Sequence, residues 1–170
     1  MTTSDFFQNK INEINQAIRY ELYNCALSLA LTLPDICGKV EFPNEFSPGK
    51  RYKDWFSLYA VPNFTVEASK LPSSEIASYT WLSAEECWAL RCAFLYAGNY
   101  NMECVSLANV HIHVHKRNSE NYSHMVRDTQ YVDWDVIELC KKLCLTASEY
   151  YYSIEDKTRF ALDEVRIDTW

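Results

Sequence analysis

Apolar residues along the first thirty-three positions fall on one stripe. From Ser4 to Leu33 they are Phe7, Ile11, Ile14, Ile18, Leu22, Cys25, Ala26, Leu29 and Leu33, separated mostly by steps of three and four. That period predicts one long α-helix, with Ser4 as its N-cap, Asp5 in its first turn and Pro34 as its stop. Ala26 to Leu33 is apolar nearly all round, which places that end in the middle of the core. Residues 34–49 contain three prolines and two glycines and read as an ordered loop, pinned by Ile36, Val40, Phe42 and Phe46. Lys50 to Ala60 reads as a short helix burying Trp55, Phe56 and Tyr59. A loop follows over Val61–Pro72, then a short helix over Ser74–Tyr79.

The sequence Ser83-Ala-Glu-Glu86 is a capping box, in which the serine hydroxyl and the glutamate carboxylate each satisfy a free backbone N–H. The helix it opens is expected to reach Ala97, with Gly98 as its C′ residue. Beyond it the period falls to two. Val105 to His115 alternates, with His111, His113 and His115 on one face and Val110, Ile112 and Val114 on the other. A turn over Asn118–Asn121 and a partner strand over Tyr122–Val132 complete a β-hairpin, about residues 104–132. Asp133 or Asp135 then caps a last helix through Tyr151, which turns Val136, Leu139, Cys140, Leu143 and Ala147 inward. Residues 157–170 carry no decisive pattern. The expected fold is one mainly α domain over residues 1–170 with an inserted hairpin.

Composition narrows the class of molecule. The chain has 170 residues, 48% of them apolar and 15% aromatic, with 3 Gly and 5 Pro, which excludes disordered, collagenous and low-complexity chains. A chain of this length buries about 70% of its unfolded surface, enough for a core without covalent staples. No apolar run approaches the roughly 20 residues of a membrane span, and MTTSDFFQNK lacks the apolar core of a signal peptide, so a cytoplasmic protein is expected. The seven cysteines include no C-x-x-C pair and fall largely on helix faces, as small apolar residues that stay reduced. The net charge of −7 argues against RNA wrapping over a broad basic surface, and leaves room only for a small anion pocket.

Four constellations could carry chemistry. Arg91 lies on the capped helix among Cys87, Trp88, Phe94 and Leu95, with no acid within one turn. It must meet a phosphate, snorkel, or pair with an acid from another element such as Asp54 or Glu41. His111, His113 and His115 project from one strand face within reach of a single cation, with His124 or Cys104 to complete a tetrahedron; the plainer alternative is an exposed face rich in histidine. Lys50, Arg51 and Lys53 cluster with Trp55 at a helix start, where a phosphate can sit, though they also suit the solvated face of an amphipathic helix. Gly49-Lys50 lacks the preceding glycines of a P-loop. Tyr150-Tyr-Tyr152 has no basic interleaving and suits a subunit interface better than base stacking. No serine-hydrolase elbow, cysteine–histidine signature or dinucleotide turn is visible, and no cofactor is expected.

The stretch Ala89-Leu-Arg-Cys-Ala-Phe-Leu-Tyr96-Ala-Gly98 resembles the motif helix of the HEPN superfamily, an Arg followed after four to six residues by a His within a small helical bundle. The chain also resembles a group of uncharacterised bacterial and phage-borne proteins over roughly residues 20–100. That likeness runs through Leu31-Thr-Leu-Pro-Asp-Ile-Cys-Gly-Lys-Val-Glu-Phe-Pro43, Arg51-Tyr-Lys-Asp-Trp55 and Leu90-Arg-Cys92. The HEPN resemblance implies a nucleotide- or RNA-binding homodimer of a defence, toxin or phage counter-defence system. If active, it would be a metal-independent endoribonuclease, with Arg91 holding the scissile phosphate. Tyr96 stands where the motif has its histidine. A phenol, with an ordinary pKa of about 10, is a poor base at neutral pH, so the departure implies a weak or inactive nuclease in which Tyr96 only donates a hydrogen bond. Two other classes stand beside it: an interaction protein that blocks a host or defence protein through an acidic, aromatic surface, and a metal enzyme built on the three histidines.

Overall fold

The computed structural model describes residues 3–67, 78–97, 109–114, 125–127 and 131–160. The chain is mainly α. Helix α1 spans Thr3–Arg19 and turns Phe7, Ile11, Ile14 and Ala17 inward, as the period requires. The single long helix expected to Leu33 is broken after Arg19. The amide of Glu21 bonds the carbonyl of Ile18 (3.1 Å) and that of Leu22 bonds the carbonyl of Ala17 (2.8 Å), the two bonds of a Schellman C-cap. Glu21 is the left-handed residue of this cap, with φ 59°. Glycine is the usual occupant, and an L side chain there costs on the order of 1 kcal/mol. Helix α2, Tyr23–Ala30, restarts in a new phase. It buries Ala26, Leu27 and Ala30, and leaves Leu22 and Cys25 exposed although both lie on the sequence stripe.

Pro34 does not end a helix here. It sits in the first turn of α3, Leu33–Glu41, where a missing N–H is harmless, so about half of the expected loop 34–49 is helical. Helix α4, Pro48–Trp55, is capped by Ser47, whose hydroxyl accepts from the Lys50 amide, and it runs on into a wider π turn over Phe56–Ala60. Helices α3 and α4 cross at Gly38, where a Cβ would lie 2.7 Å from the Arg51 carbonyl oxygen, so the crossing distance is set by the absence of a side chain. A 3₁₀ turn over Val61–Phe64 leads to β1, Thr65–Glu67, which pairs antiparallel with β2, Ser78–Thr80. The short helix expected over Ser74–Tyr79 is therefore a strand where its last two residues are described, and its remainder lies outside the described residues.

The capping box forms as expected. The Ser83 amide donates to Glu86 Oε2 (2.8 Å) and the Glu86 amide to Ser83 Oγ (3.2 Å), opening α5, Ala84–Cys92, which continues as a π turn over Ala93–Ala97. The second sheet departs from a simple hairpin. Strands β3 (Asn109–His113), β4 (Met125–Arg127) and β5 (Tyr131–Asp135) form a sheet of order β3-β5-β4. Strand β4 pairs antiparallel with β5, while β3 lies parallel to it, with Ile112 opposite Trp134. Asp135, rather than Asp133, caps α6 (Val136–Ser153) by accepting from the Glu138 amide at 2.8 Å.

Helix α6 packs against α1, α2 and α3, and one apolar core runs from Phe7 to Phe160. Tyr150 and Tyr151 belong to that core and not to an interface. The Tyr151 ring stacks on Phe7 at 5.0 Å, Tyr150 meets Trp55 edge-on at 5.6 Å, and only Tyr152 is exposed. Among the described residues no helix is long and apolar enough to cross a membrane.

Candidate functional site: an arginine–aromatic clamp on α5

Arg91 finds its acid on another element, and that acid is neither Asp54 nor Glu41. Asp35 in the first turn of α3 accepts from Arg91 Nε at 2.8 Å, and Nη2 lies 2.8 Å from the same oxygen. The third guanidinium nitrogen, Nη1, donates to the Tyr96 hydroxyl at 2.9 Å. Two rings flank the cation, with Trp88 at 5.0 Å and Tyr96 at 5.1 Å from Arg91 Cζ to the ring centres. The spacings explain the clamp. Trp88 precedes Arg91 by three residues and shares its face of α5, while the wider π turn brings Tyr96 back over it.

The two partners feel the pair unequally. Burial works against the Arg91 charge, but the Tyr96 hydroxyl and the Asp35 carboxylate more than offset it and hold the guanidinium further into its charged range. Burial raises Asp35 above the usual carboxylate value, against the opposing pull of Arg91 and, more weakly, Arg51. The side chains are 14% and 25% exposed, so desolvation consumes much of the Coulomb attraction and the net gain from the pair is small. Asp35 was missed in the sequence because residues 34–49 read as a loop. As a helix start, the same stretch puts an acid in a first turn, where the macrodipole favours it.

The neighbouring cations are all engaged. Lys50 Nζ lies 2.5 Å from Asp54 and 3.4 Å from Glu45, Lys53 lies 3.0 Å from Glu85, and Arg51 donates to the Glu45 carbonyl at 2.6 Å. Lys50, Arg51, Lys53 and Arg91 are thus matched by Asp35, Glu45, Asp54 and Glu85, and among the described residues no basic excess gathers where an anion was expected. The other acid considered for Arg91, Glu41, instead accepts from the Tyr150 hydroxyl at 2.8 Å. Gly49 lies against the Trp88 ring, where a Cβ would stand 2.9 Å from a ring carbon. Around the clamp Tyr96 is 76% exposed, and Phe46, next to the carbonyl that holds Arg51, is 92% exposed.

Of the three strand histidines, the structure places the side chain of His113, whose Nδ1 pairs with Asp133 on β5. The His111 side chain, His115, His124 and Cys104 lie outside the described residues. Among the described residues no group of three or more His, Cys, Asp and Glu side chains is placed to hold a metal. Burial pushes the Cys87 and Cys144 thiols up to about 12 and the Cys37 thiol up as well, so none is a nucleophile at neutral pH. No protein-family model, curated protein or solved structure matches the chain.

Proposed function

We infer that the chain is an interaction protein, which docks a partner protein through the arginine–aromatic face of α5. One observation carries this. Each guanidinium nitrogen of Arg91 already makes one contact, two with Asp35 and one with Tyr96, which engages three of its five N–H donors and supports an arginine held in place over an open anion hook. Tryptophan, tyrosine and arginine are the residues that dominate binding energy at protein interfaces, and here they are held in place before any partner arrives. The balanced charges of the face leave the net −7 of the chain on the rest of the molecule. Such a field steers a partner whose docking surface is basic at its rim and apolar at its centre. This is the class of a blocking protein in a host-directed or counter-defence setting.

A second reading rests on the 2.9 Å contact of Arg91 with Tyr96, the two positions of the HEPN-like motif. A phosphate of RNA or a nucleotide could displace the exposed tyrosine and take its place on Nη1. The acidic chain and, among the described residues, the balance of charge around Arg91 weigh against it.

A photo-crosslinking amino acid at position 96, with position 152 on the far helix α6 as control, separates the two in cells. The expected result is a protein adduct formed from position 96 and not from 152. The partner identified this way, once purified, should bind the wild-type chain and bind Tyr96→Ala at least about tenfold more weakly. An RNA adduct from position 96, or RNA cleavage without metal that Arg91→Ala abolishes, would overturn the interaction reading in favour of the nuclease. Equal adducts from both positions would remove the α5 face from consideration.

A further inference from the structure

A second site lies away from α5 and uses different residues. Where α1 turns into α2, a cleft of about 250 Å³ opens toward the edge of β3. Glu21, Tyr23, Asn24 and Leu27 line it from the α1–α2 turn and α2, Ile112 and His113 from β3, and Val136 from α6, with the His113 ring held by Asp133. Glu21 is the unusual member. It occupies the left-handed position of the α1 cap, which glycine would fill without strain, yet among the described residues its carboxylate makes no ion pair or hydrogen bond. A strained turn residue that places an acid beside a cleft, unpaired among the described residues, points beyond the turn itself, since glycine would relax the backbone there.

We propose that this cleft binds a primary alkylammonium group. Glu21 supplies the opposite charge, and the Asn24 amide oxygen and the Tyr23 hydroxyl are neutral acceptors for the remaining N–H donors. The apolar lining residues Leu27, Ile112 and Val136 take the alkyl chain. The carboxylate of Asp133 behind His113 and the net charge of −7 add to the attraction for a cation. A divalent metal fits less well, because among the described residues the cleft offers a single carboxylate of its own and its apolar lining gives an ion nothing.

The probe is n-butylammonium, titrated into the whole chain and followed by backbone amide NMR, with n-butanol as the uncharged control. Saturable shifts at Glu21, Tyr23, Asn24 and Ile112–Val114 are expected in the millimolar range, and n-butanol should leave them unchanged. Glu21→Gln should weaken binding about tenfold or more, as loss of a charge-assisted contact requires. Glu21→Gly should abolish binding while raising the melting temperature by about 2–4 °C, because the strained turn relaxes. That pairing of lost binding with gained stability is the signature a merely structural glutamate would not give. A blocked lysine amide, Nα-acetyl-lysine N-methylamide, separates the two sources of such a group: tighter binding than n-butylammonium assigns the cleft to a lysine of a partner protein, weaker binding to a free amine. No shift up to about 50 mM, equal shifts with n-butanol, full affinity in Glu21→Gln, or a fall in melting temperature for Glu21→Gly would each overturn the proposal.

Discussion

Breaking the Arg91–Asp35 pair from one side should cost far more than the pair contributes. Arg91→Met removes two contacts to Asp35 at 2.8 Å and one to Tyr96 at 2.9 Å, and leaves the aliphatic stem beside Trp88 largely replaced. Contacts to charged groups are worth about 1.5–3 kcal/mol each when fully buried, and the loss leaves Asp35 desolvated without its partner. The side-chain exposures of 14% and 25% reduce that, and Arg51 still faces Asp35 from α4. A loss of about 3 kcal/mol is expected for Arg91→Met and about 2 kcal/mol for Asp35→Asn, which keeps the shape and the Tyr96 contact. In the double variant neither charge is orphaned, so its loss should fall short of the sum by about 1–2 kcal/mol. Urea unfolding followed by tryptophan fluorescence and far-ultraviolet circular dichroism measures all three. For a domain of this size 3 kcal/mol corresponds to a melting shift of roughly 6–12 °C. Losses below about 0.5 kcal/mol for either single variant, with no coupling, would mean that the pair is a solvated surface contact and that Arg91 is free to take an anion after all.

Three further outcomes follow from the packing. Gly38→Ala should destabilise by about 1–2 kcal/mol in chemical denaturation, because a Cβ 2.7 Å from the Arg51 carbonyl oxygen outweighs the gain of about 1 kcal/mol in helix propensity; a more stable variant would show that α3 and α4 cross further apart. Brief iodoacetamide treatment of the folded chain, read by peptide mapping, should label exposed Cys25 and spare buried Cys37, Cys87, Cys140 and Cys144, and early labelling of any of those four would contradict the core. Asp156 is held below the usual carboxylate value of 3.8 by the Thr158 hydroxyl (2.6 Å) and, less strongly, the Thr158 amide (3.0 Å). A lowered carboxyl favours the folded state above its ordinary pKa and loses that contribution as pH falls through the lowered value, so Thr158→Val should move the Asp156 titration upward in carbon NMR and remove part of that acid dependence.

What the sequence determined by itself is local. The Ser83–Glu86 box, the inward stripe of α6 and the strand around Ile112 each depend on residues one to four positions apart, and the box, the stripe and the strand over Asn109–His113 formed within the stretches the pattern gave them. The same locality explains the misses. The stripe from Phe7 to Leu33 runs across the α1–α2 turn without a glycine or proline to mark it, and only packing of α2 against α6 decides that the chain must reverse phase at Glu21. Pro34 reads as a terminator or as a first-turn residue with equal ease, and the tertiary fold chose the second. The parallel alignment of β3 with β5 joins strands that the pattern alone would pair in the opposite sense. Arg91 stood out because no acid lies within one helical turn of it, and Tyr96 because it stands where the resembled motif has its histidine, whereas Asp35, 56 residues away in sequence, could be found only in space. An ionic partner carries no periodic signature. Its identity depends on which helices cross and how closely, and here that is set by glycine at the α3–α4 crossing and by the ring of Trp88 against Gly49. The sequence alone therefore named the arginine, and the tertiary structure decided which acid holds it.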